Sequence, residues 1–338
     1  MPRIAVDAMG GDFAPDEVVK GVAKVSLESG IEVVLVGDSA RIQALLDEGP
    51  YDPELISVRH CASAIGMADD PHDALRGKRD ASIAVAARMV ADGEADALVT
   101  AGNTGAAVLC AARNFKLIRG VRRAALASVY PRETELPGQD VFGLLLDVGA
   151  TIRCEAAELA QFAIMGSAYA RRVSRQPSPR VGLLNMGREE GKGGDVLVEA
   201  HRMMRALPSI HFVGNVEGSD VATGRADVVV AEGLLGNVVL KLLEGIGEAA
   251  SHLASQAAHD SWRVRLGMAM LAPGIEKVRD MTDFGTYGGA PILGFEHLCI
   301  KAHGRSSARA IANAVKVAAK AVRDRVADEI AEAVAGIR

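Results

Sequence analysis

Residues 3–12, RIAVDAMGGD, show the pattern that decides the fold of this chain. A short apolar run ends in an aspartate and then a pair of glycines, and the next segment opens with Pro15, Asp16 and Glu17. A strand that passes through a glycine turn into a helix is the first unit of a β/α arrangement.

The rest of the chain repeats this unit. Apolar runs alternate with longer Ala-rich amphipathic segments, and this alternation predicts an α/β fold with a mostly parallel sheet covered by helices. In such a sheet ligands bind at the carboxyl ends of the strands, so we expect the turns there to meet in one cleft. The later runs are Ile31–Gly37, Ile56–Arg59, Ala97–Thr100, Gly143–Asp147, Arg180–Asn185, His211–Gly214 and Asp227–Ala231.

Composition limits the function. Of 338 residues 49% are hydrophobic, and 38 Lys and Arg stand against 43 Asp and Glu, a net charge of -5 that argues against nucleic acid as a partner. No apolar run approaches the roughly 20 residues of a spanning helix, and no signal peptide is visible, so we expect a cytoplasmic protein. The cysteines form no CxxC pair and are interpreted as buried thiols: Cys61, Cys110, Cys154 and Cys299.

Two turns near the amino terminus offer backbone N–H groups to an anion. AMGGD follows the first strand and AGNTGA follows Ala97–Thr100, and a helix is predicted after each. Paired glycines let N–H groups approach a phosphate, and a helix amino terminus adds a favourable dipole. A tight turn or a helix cap would use the same residue types. The candidate phosphate ligands here are Asp7, Gly10, Gly11, Asp12, Gly102, Asn103, Thr104 and Gly105.

Three later turns add side chains that can act on a charged substrate. Lys192 lies between two glycines in NMGREEGKG, where its ammonium group can meet phosphate as a point charge. Asn237 opens a predicted helix and can orient substrate or cap that helix. His303 can serve as an acid or base, or be structural. The remaining candidates in these turns are Asn185, Gly187, Glu189, Gly193 and Gly236. The motifs HExxH, DxDxDG and Walker A are absent, so the sequence indicates neither a metal nor a nucleoside triphosphate.

Residues 238–282 break the alternation, because two helical stretches flank an apolar corner with no strand between them. We expect a projecting helical hairpin. Its corner can be a dimer contact or core, or it can dip into lipid while flanking bases meet anionic head groups. The candidate contacts for membrane or acyl carrier protein are Arg263, Arg265, Leu266, Met268, Leu271, Lys277 and Arg279.

Taken in order, these motifs resemble the bacterial phosphate acyltransferase (PlsX) family over essentially the whole chain. The resemblance rests on AVDAMGGD, AGNTGA, LLLDVGA, AIMGSAYA, SPRVGLLNMG, FVGNVEGSD, GNVVLKLLEG, YGGAPILG and KAHG. It implies a single catalytic domain over residues 1–338, with a three-layer α/β/α sandwich like that of phosphotransacetylases and isopropylmalate-type dehydrogenases. It also implies a homodimer and no organic cofactor.

The implied reaction is acyl transfer from acyl carrier protein to inorganic phosphate, with Lys192 and Asn237 as the catalytic residues. A glycerol-3-phosphate acyltransferase would use the product, and the protein would associate peripherally with the inner face of the cell membrane. Two departures affect the implied pocket. The family usually has DGFTGN where this chain has EGLLGN at 232–237, and it has DVGAN where Thr151 follows Ala150 here. A dehydrogenase and a noncatalytic membrane scaffold are the rival interpretations.

Overall fold

The computed structural model describes residues 1–133, 141–260, 266–267, 270–271 and 288–336. In this part of the chain eleven strands form one sheet, in the order β3-β2-β1-β4-β11-β10-β5-β6-β9-β7-β8. The strands are β1 Arg3–Asp7, β2 Glu32–Gly37, β3 Ile56–His60, β4 Ala97–Thr100, β5 Ala125–Pro131, β6 Phe142–Leu146, β7 Arg180–Leu184, β8 His211–Val216, β9 Val228–Val230, β10 Ala290–Leu293 and β11 Leu298–Lys301.

Helices cover both faces of the sheet, as the alternation predicts. They are α1 Asp16–Ser29, α2 Ser39–Leu46, α3 Pro71–Gly77, α4 Ser82–Ala91, α5 Thr104–Asn114, α6 Ala156–Val173, α7 Gly194–Arg205, α8 Gly218–Ala222, α9 Gly233–Asp260, α10 Ala308–Arg323 and α11 Val326–Ala335.

Two apolar layers show why the sequence folds this way. Side chains alternate along β1, so Ile4 packs in the layer that contains α1, α6 and α10, whereas Ala5 packs in the layer that contains α4 and α5. Both strand residues are fully buried. A strand buried on both faces must be apolar throughout, which explains the unbroken run in RIAV. The three-layer α/β/α sandwich is confirmed.

The sheet consists of two parallel halves that run in opposite directions. β10 pairs antiparallel with both β11 and β5, and β5 pairs antiparallel with β6. These three reversals turn β6, β9, β7 and β8 against the direction of β1 to β4 and β11. The expectation that all the turns meet at one edge of the sheet is therefore wrong, because carboxyl ends share an edge only within each half.

The hairpin expected over residues 238–282 stays a prediction, because only part of this segment is described. Helix α9 runs through its first residues and continues to Asp260, and Leu266 and Leu271 are exposed. The hairpin residues Arg263, Arg265, Met268, Lys277 and Arg279 lie outside the described residues. Among the described helices, none is long and apolar enough to cross a membrane.

Candidate active site

The turn after β1 is built around a buried carboxylate. Asp7 is 2% exposed, and Thr100 Oγ1 donates to its Oδ2 at 2.7 Å. Burial raises the pKa of Asp7, and hydrogen bonds from Ser82 and Thr100 oppose that rise. The Asp7 side chain therefore links the first turn to the end of β4.

The glycines of this turn allow three strand ends to touch through their backbones. A Cβ atom at Gly10 would lie 2.8 Å from the Gly102 nitrogen, closer than real Cβ atoms come. The Asp12 N–H donates to the Gly304 carbonyl at 2.8 Å. The turns after β1, β4 and β11 thus form one compact group at the carboxyl edge of the first half, with the Asp12 side chain exposed.

The side-chain amide of Asn103 forms its hydrogen bonds with backbone groups of the protein. Its Oδ1 accepts from the Ala106 N–H at 3.0 Å, and its Nδ2 donates to the carbonyls of Met67 and Asp69 at 3.0 and 3.1 Å. These bonds cap α5, which is the alternative that the sequence left open for this turn. Thr104 follows the cap and is exposed, while Gly105 packs against Pro71.

Three basic side chains meet beside this group. Lys301, 7% exposed, donates its Nζ to the carbonyls of Ala101 and Ala302. Burial lowers the pKa of Lys301 to about 8, against the opposing influence of Cys299 and Asp7. His303 Nε2 lies 3.4 Å from Lys241 Nζ, and burial together with that ammonium group lowers the pKa of His303.

Asn237 lies at the start of α9, against the loop after β6. Its Nδ2 donates to the Val148 carbonyl at 2.9 Å, and the side chain is exposed. Gly236 precedes it with no room for a side chain, because a Cβ atom there would overlap the Asp147 carbonyl oxygen.

Helix α9 connects the two edges of the sheet. Asn237 and Lys241 are one helical turn apart, so their side chains project from the same face. Because Lys241 reaches His303, the helix brings Asn237 close to the group formed by the β1, β4 and β11 turns. The structure therefore joins these two candidate regions through α9, even though their strands run in opposite directions.

The Lys192 turn follows β7, at the same edge of the sheet as the loop before Asn237. The Lys192 side chain is exposed, and its carbonyl accepts from Asn185 Nδ2 at 2.9 Å. Gly193 has a φ of 94°, where a side chain would strain the backbone and clash with Asn185.

Neighbouring charges around this turn are already paired. Arg188 binds Asp220 through two nitrogens, at 2.5 and 3.1 Å, and Glu190 pairs with Arg205 at 2.5 Å. Among the described residues no hydrogen bond or ion pair joins Lys192 to Asn237. Their loops follow β7 and β9, which are parallel neighbours in the sheet and so lie roughly 5 Å apart.

Comparison with known proteins decides the family. The model of a family described as "Fatty acid synthesis protein" matches residues 2–329. A phosphate acyltransferase of Nitratidesulfovibrio vulgaris is 42% identical over 308 residues, which cover 91% of this chain and 88% of that relative. The chain belongs to the phosphate acyltransferase family. That family of acyltransferases acts in fatty acid and phospholipid synthesis, and the resemblance found in the sequence is confirmed.

Solved structures show the same fold with different chemistry. A phosphotransacetylase from Streptococcus pyogenes covers 97% of this chain, and the match covers 94% of that protein, with a TM-score of 0.65 and 17% identity. A 4-hydroxythreonine-4-phosphate dehydrogenase from Klebsiella pneumoniae has a TM-score of 0.56 and 17% identity, with 95% of this chain and 100% of that one covered. The fold alone therefore does not select the reaction.

The two departures from the phosphate acyltransferase pattern contact each other's loops. Thr151 Oγ1 accepts from the Gly233 N–H at 3.1 Å, and Glu232 Oε1 accepts from the Cys154 N–H at 3.2 Å. Each substituted side chain thus satisfies a backbone donor in the other loop. Leu234 and Leu235, the other changed positions of the 232–237 segment, are 58% and 40% exposed.

Three charged groups of this candidate site, Asp147, Lys241 and Lys301, were not among the predicted site residues. Asp147 is fully buried. Its carboxylate accepts hydrogen bonds from four backbone N–H groups, those of Leu126, Gly149, Ala150 and Thr151. Burial raises the pKa of Asp147, and the hydrogen bond from Ala150 is the largest opposing influence. The other two groups are the lysines Lys241 and Lys301 described above. An aspartate directly after a strand was the available signal for Asp147, whereas Lys301 inside an apolar strand was a signal of a buried cation.

Proposed function

We propose that this protein transfers a fatty acyl group from the thioester of acyl carrier protein to inorganic phosphate. The products are acyl phosphate and the free thiol of the carrier. Membership of the phosphate acyltransferase family over residues 2–329 carries the proposal, because that range includes both Lys192 and Asn237. The proposal goes beyond family membership in naming acyl carrier protein as the acyl donor and phosphate as the acceptor.

The chemistry needs no nucleophile from the protein. A phosphate oxygen attacks the thioester carbonyl and forms a carbon–oxygen bond, which gives a tetrahedral oxyanion. This oxyanion collapses as the carbon–sulfur bond breaks, and the sulfur leaves as a thiolate that takes a proton from solvent. Phosphate already carries the attacking electron pair, so the enzyme must position it and stabilise developing charge.

Lys192 and Asn237 fit these two tasks. The exposed Lys192 ammonium group would bind phosphate at the glycine-rich turn. Asn237 uses one amide hydrogen on the Val148 carbonyl, which fixes the amide and leaves its second hydrogen for the oxyanion. Removal of such a donor costs on the order of 3 kcal/mol of transition-state stabilisation in other enzymes.

Assembly and location complete the proposal. The exposed apolar residues of α9 support a homodimer, and exposed Leu266, Met270 and Leu271 support peripheral contact with the inner face of the cell membrane. A glycerol-3-phosphate acyltransferase would take up the acyl phosphate.

Trapping the product tests the proposal. Purified protein is incubated with palmitoyl acyl carrier protein, with and without phosphate, and acyl phosphate is captured as a hydroxamate. We expect hydroxamate to form only with phosphate, and Lys192→Ala to reduce its formation by about 100-fold. Lys24→Ala, an exposed lysine on α1, is the matched control and should retain activity. Hydroxamate formation by Lys192→Ala at the rate of Lys24→Ala would refute the role of Lys192.

A further inference from the structure

Two buried side chains hold the Lys192 turn from behind. Asn215, 2% exposed at the end of β8, donates its Nδ2 to the Glu189 carbonyl at 2.8 Å. The same carbonyl accepts from the backbone N–H of Lys192 at 3.2 Å. His201, 3% exposed on α7, lies with its Nδ1 2.9 Å from Asn215 Oδ1. A chain of contacts therefore leads from His201 through Asn215 and Glu189 to Lys192.

The hydrogen bonds fix the roles of these groups. Because Asn215 Nδ2 is the donor to Glu189, its Oδ1 faces His201 and must accept. His201 therefore carries its proton on Nδ1. Its Nε2 is buried and has no hydrogen-bond partner among the described residues, so the ring is held by the bond to Asn215 and by an edge contact with Phe212 at 5.0 Å.

The turn itself has little rigidity of its own. Four of its residues are glycines, and two of them, Gly193 and Gly194, have φ values of 94° and 79°. Glycine lowers the cost of such conformations but leaves the backbone free to leave them. External anchors are needed to hold the lysine in place. The pairs Arg188–Asp220 and Glu190–Arg205 tie neighbouring side chains of the turn to helices. The bond from Asn215 on β8 holds the backbone carbonyl to which the Lys192 N–H donates.

We propose that His201 and Asn215 are positioning residues for Lys192. His201 sets the orientation of the Asn215 amide, and that amide fixes the Glu189 carbonyl and hence the backbone of Lys192. The inference rests on the proposed function in one respect, namely that Lys192 binds the phosphate substrate. Neither side chain touches substrate, so their effect is expected in the use of phosphate and not in the transfer step itself.

Neutral substitutions test the inference without adding charge near the anion. His201→Leu and Asn215→Leu should each raise the KM for phosphate about tenfold, while kcat at saturating phosphate stays within about twofold. His201→Asn, whose amide nitrogen can take the place of Nδ1, should restore most of the phosphate KM. A purely structural role would lower the melting temperature and the active fraction, and so kcat, without changing this KM. That pattern would overturn the inference.

A double-mutant cycle separates this inference from the proposed function. In a Lys192→Ala background, His201→Leu should cause no further loss of kcat/KM for phosphate, because it acts through the lysine. Additive losses would overturn the positioning role. If Lys192→Ala raises the phosphate KM and His201→Leu does not, the inference fails and the proposed function stands. If His201→Leu raises that KM and Lys192→Ala does not, the role of Lys192 in the proposed function fails.

Discussion

Gly236 lies where the backbone of α9 meets the backbone of the loop after β6. A Cβ atom there would overlap the Asp147 carbonyl oxygen and come within 2.9 Å of its carbon. Backbone atoms held by a buried strand end cannot move aside as a flexible side chain would. This close contact sets the position of Asn237, the next residue of the helix.

Gly236→Ala is therefore expected to destabilise the protein and displace Asn237. We expect a loss of about 1–3 kcal/mol in the free energy of unfolding, together with a fall in acyl transfer. Gly245→Ala on the same helix is the matched control, because among the described residues no atom beyond its chain neighbours and the local helix backbone lies within 4 Å of the added Cβ. It should stabilise the helix by up to about 1 kcal/mol. Equal melting temperatures for the two variants in thermal unfolding would show that the contact does not constrain α9.

Lys301 gives a prediction about pH. The unfolded chain keeps a proton on this lysine up to about pH 10.5, whereas the folded chain releases it above about pH 8. Stability therefore rises with pH between these values, because the unfolded state binds more protons, and the gain is about 3 kcal/mol. Below pH 8 both states are protonated and the slope vanishes.

Lys301→Met removes this titration. Urea unfolding of both proteins is measured from pH 7 to 10.5. Above pH 8, the free energy of unfolding of the wild type should rise relative to that of the variant. Other titrating groups cancel in the difference. A constant difference across this range would contradict a buried, destabilised ammonium group.

At single positions, the sequence could place residues in turns but not show their contacts. For Asn103 the sequence did not decide between a ligand and a helix cap. Two of its three bonds to backbone groups go to the loop that contains Met67 and Asp69, which is distant in sequence. A lysine inside an apolar strand was a signal of burial at Lys301, but its partners could not be predicted, because the carbonyls of Ala101 and Ala302 are backbone groups that leave no signal in the sequence.

Helix α9 presents an apolar stripe to solvent along most of its length. The exposed fractions are 40% to 66% for Leu235, Val238, Leu242, Ile246 and Leu253. Successive members are three, four or seven residues apart, so they line one side of the helix. An unpartnered stripe of this kind is typical of a helix that packs against another copy.

The proposed homodimer would pack through this stripe, so charged residues in it are expected to prevent dimer formation. Leu242→Glu combined with Ile246→Glu should give a monomer in sedimentation velocity, because two carboxylates would have to be buried against a partner. The matched control is Glu248→Gln on the same helix, which should retain the dimer. A dimer that persists in the double variant would place the interface elsewhere.

Two of the strands that the predicted apolar runs leave out, β10 and β5, caused the main error of the prediction. β10 contains Pro291 and is flanked by Gly288, Gly289 and Gly294, so it looks like a loop by composition. β5, Ala125–Pro131, was missed as well. β10 and β5 produce the reversal between the halves. Without them, the other strands were predicted to run in one direction.

In the whole molecule, helix α9 links candidate turns whose strands run in opposite directions. The turns after β1, β4 and β11 form one edge, the loops before Asn237 and Lys192 follow strands of the opposite direction, and α9 passes between the edges. This arrangement brings the Lys241 ammonium group, one helical turn from the Asn237 amide, to the turns of the first half. Family membership then selects acyl transfer among the reactions that the fold supports.

One single-turnover measurement tests direct attack by phosphate most simply. Enzyme in excess is mixed with palmitoyl acyl carrier protein, and release of the carrier thiol is followed before and after phosphate is added. We expect no thiol release until phosphate arrives, followed by equal amounts of thiol and acyl phosphate. Thiol released at the same rate without phosphate, with the palmitoyl group retained on the protein, would contradict direct attack.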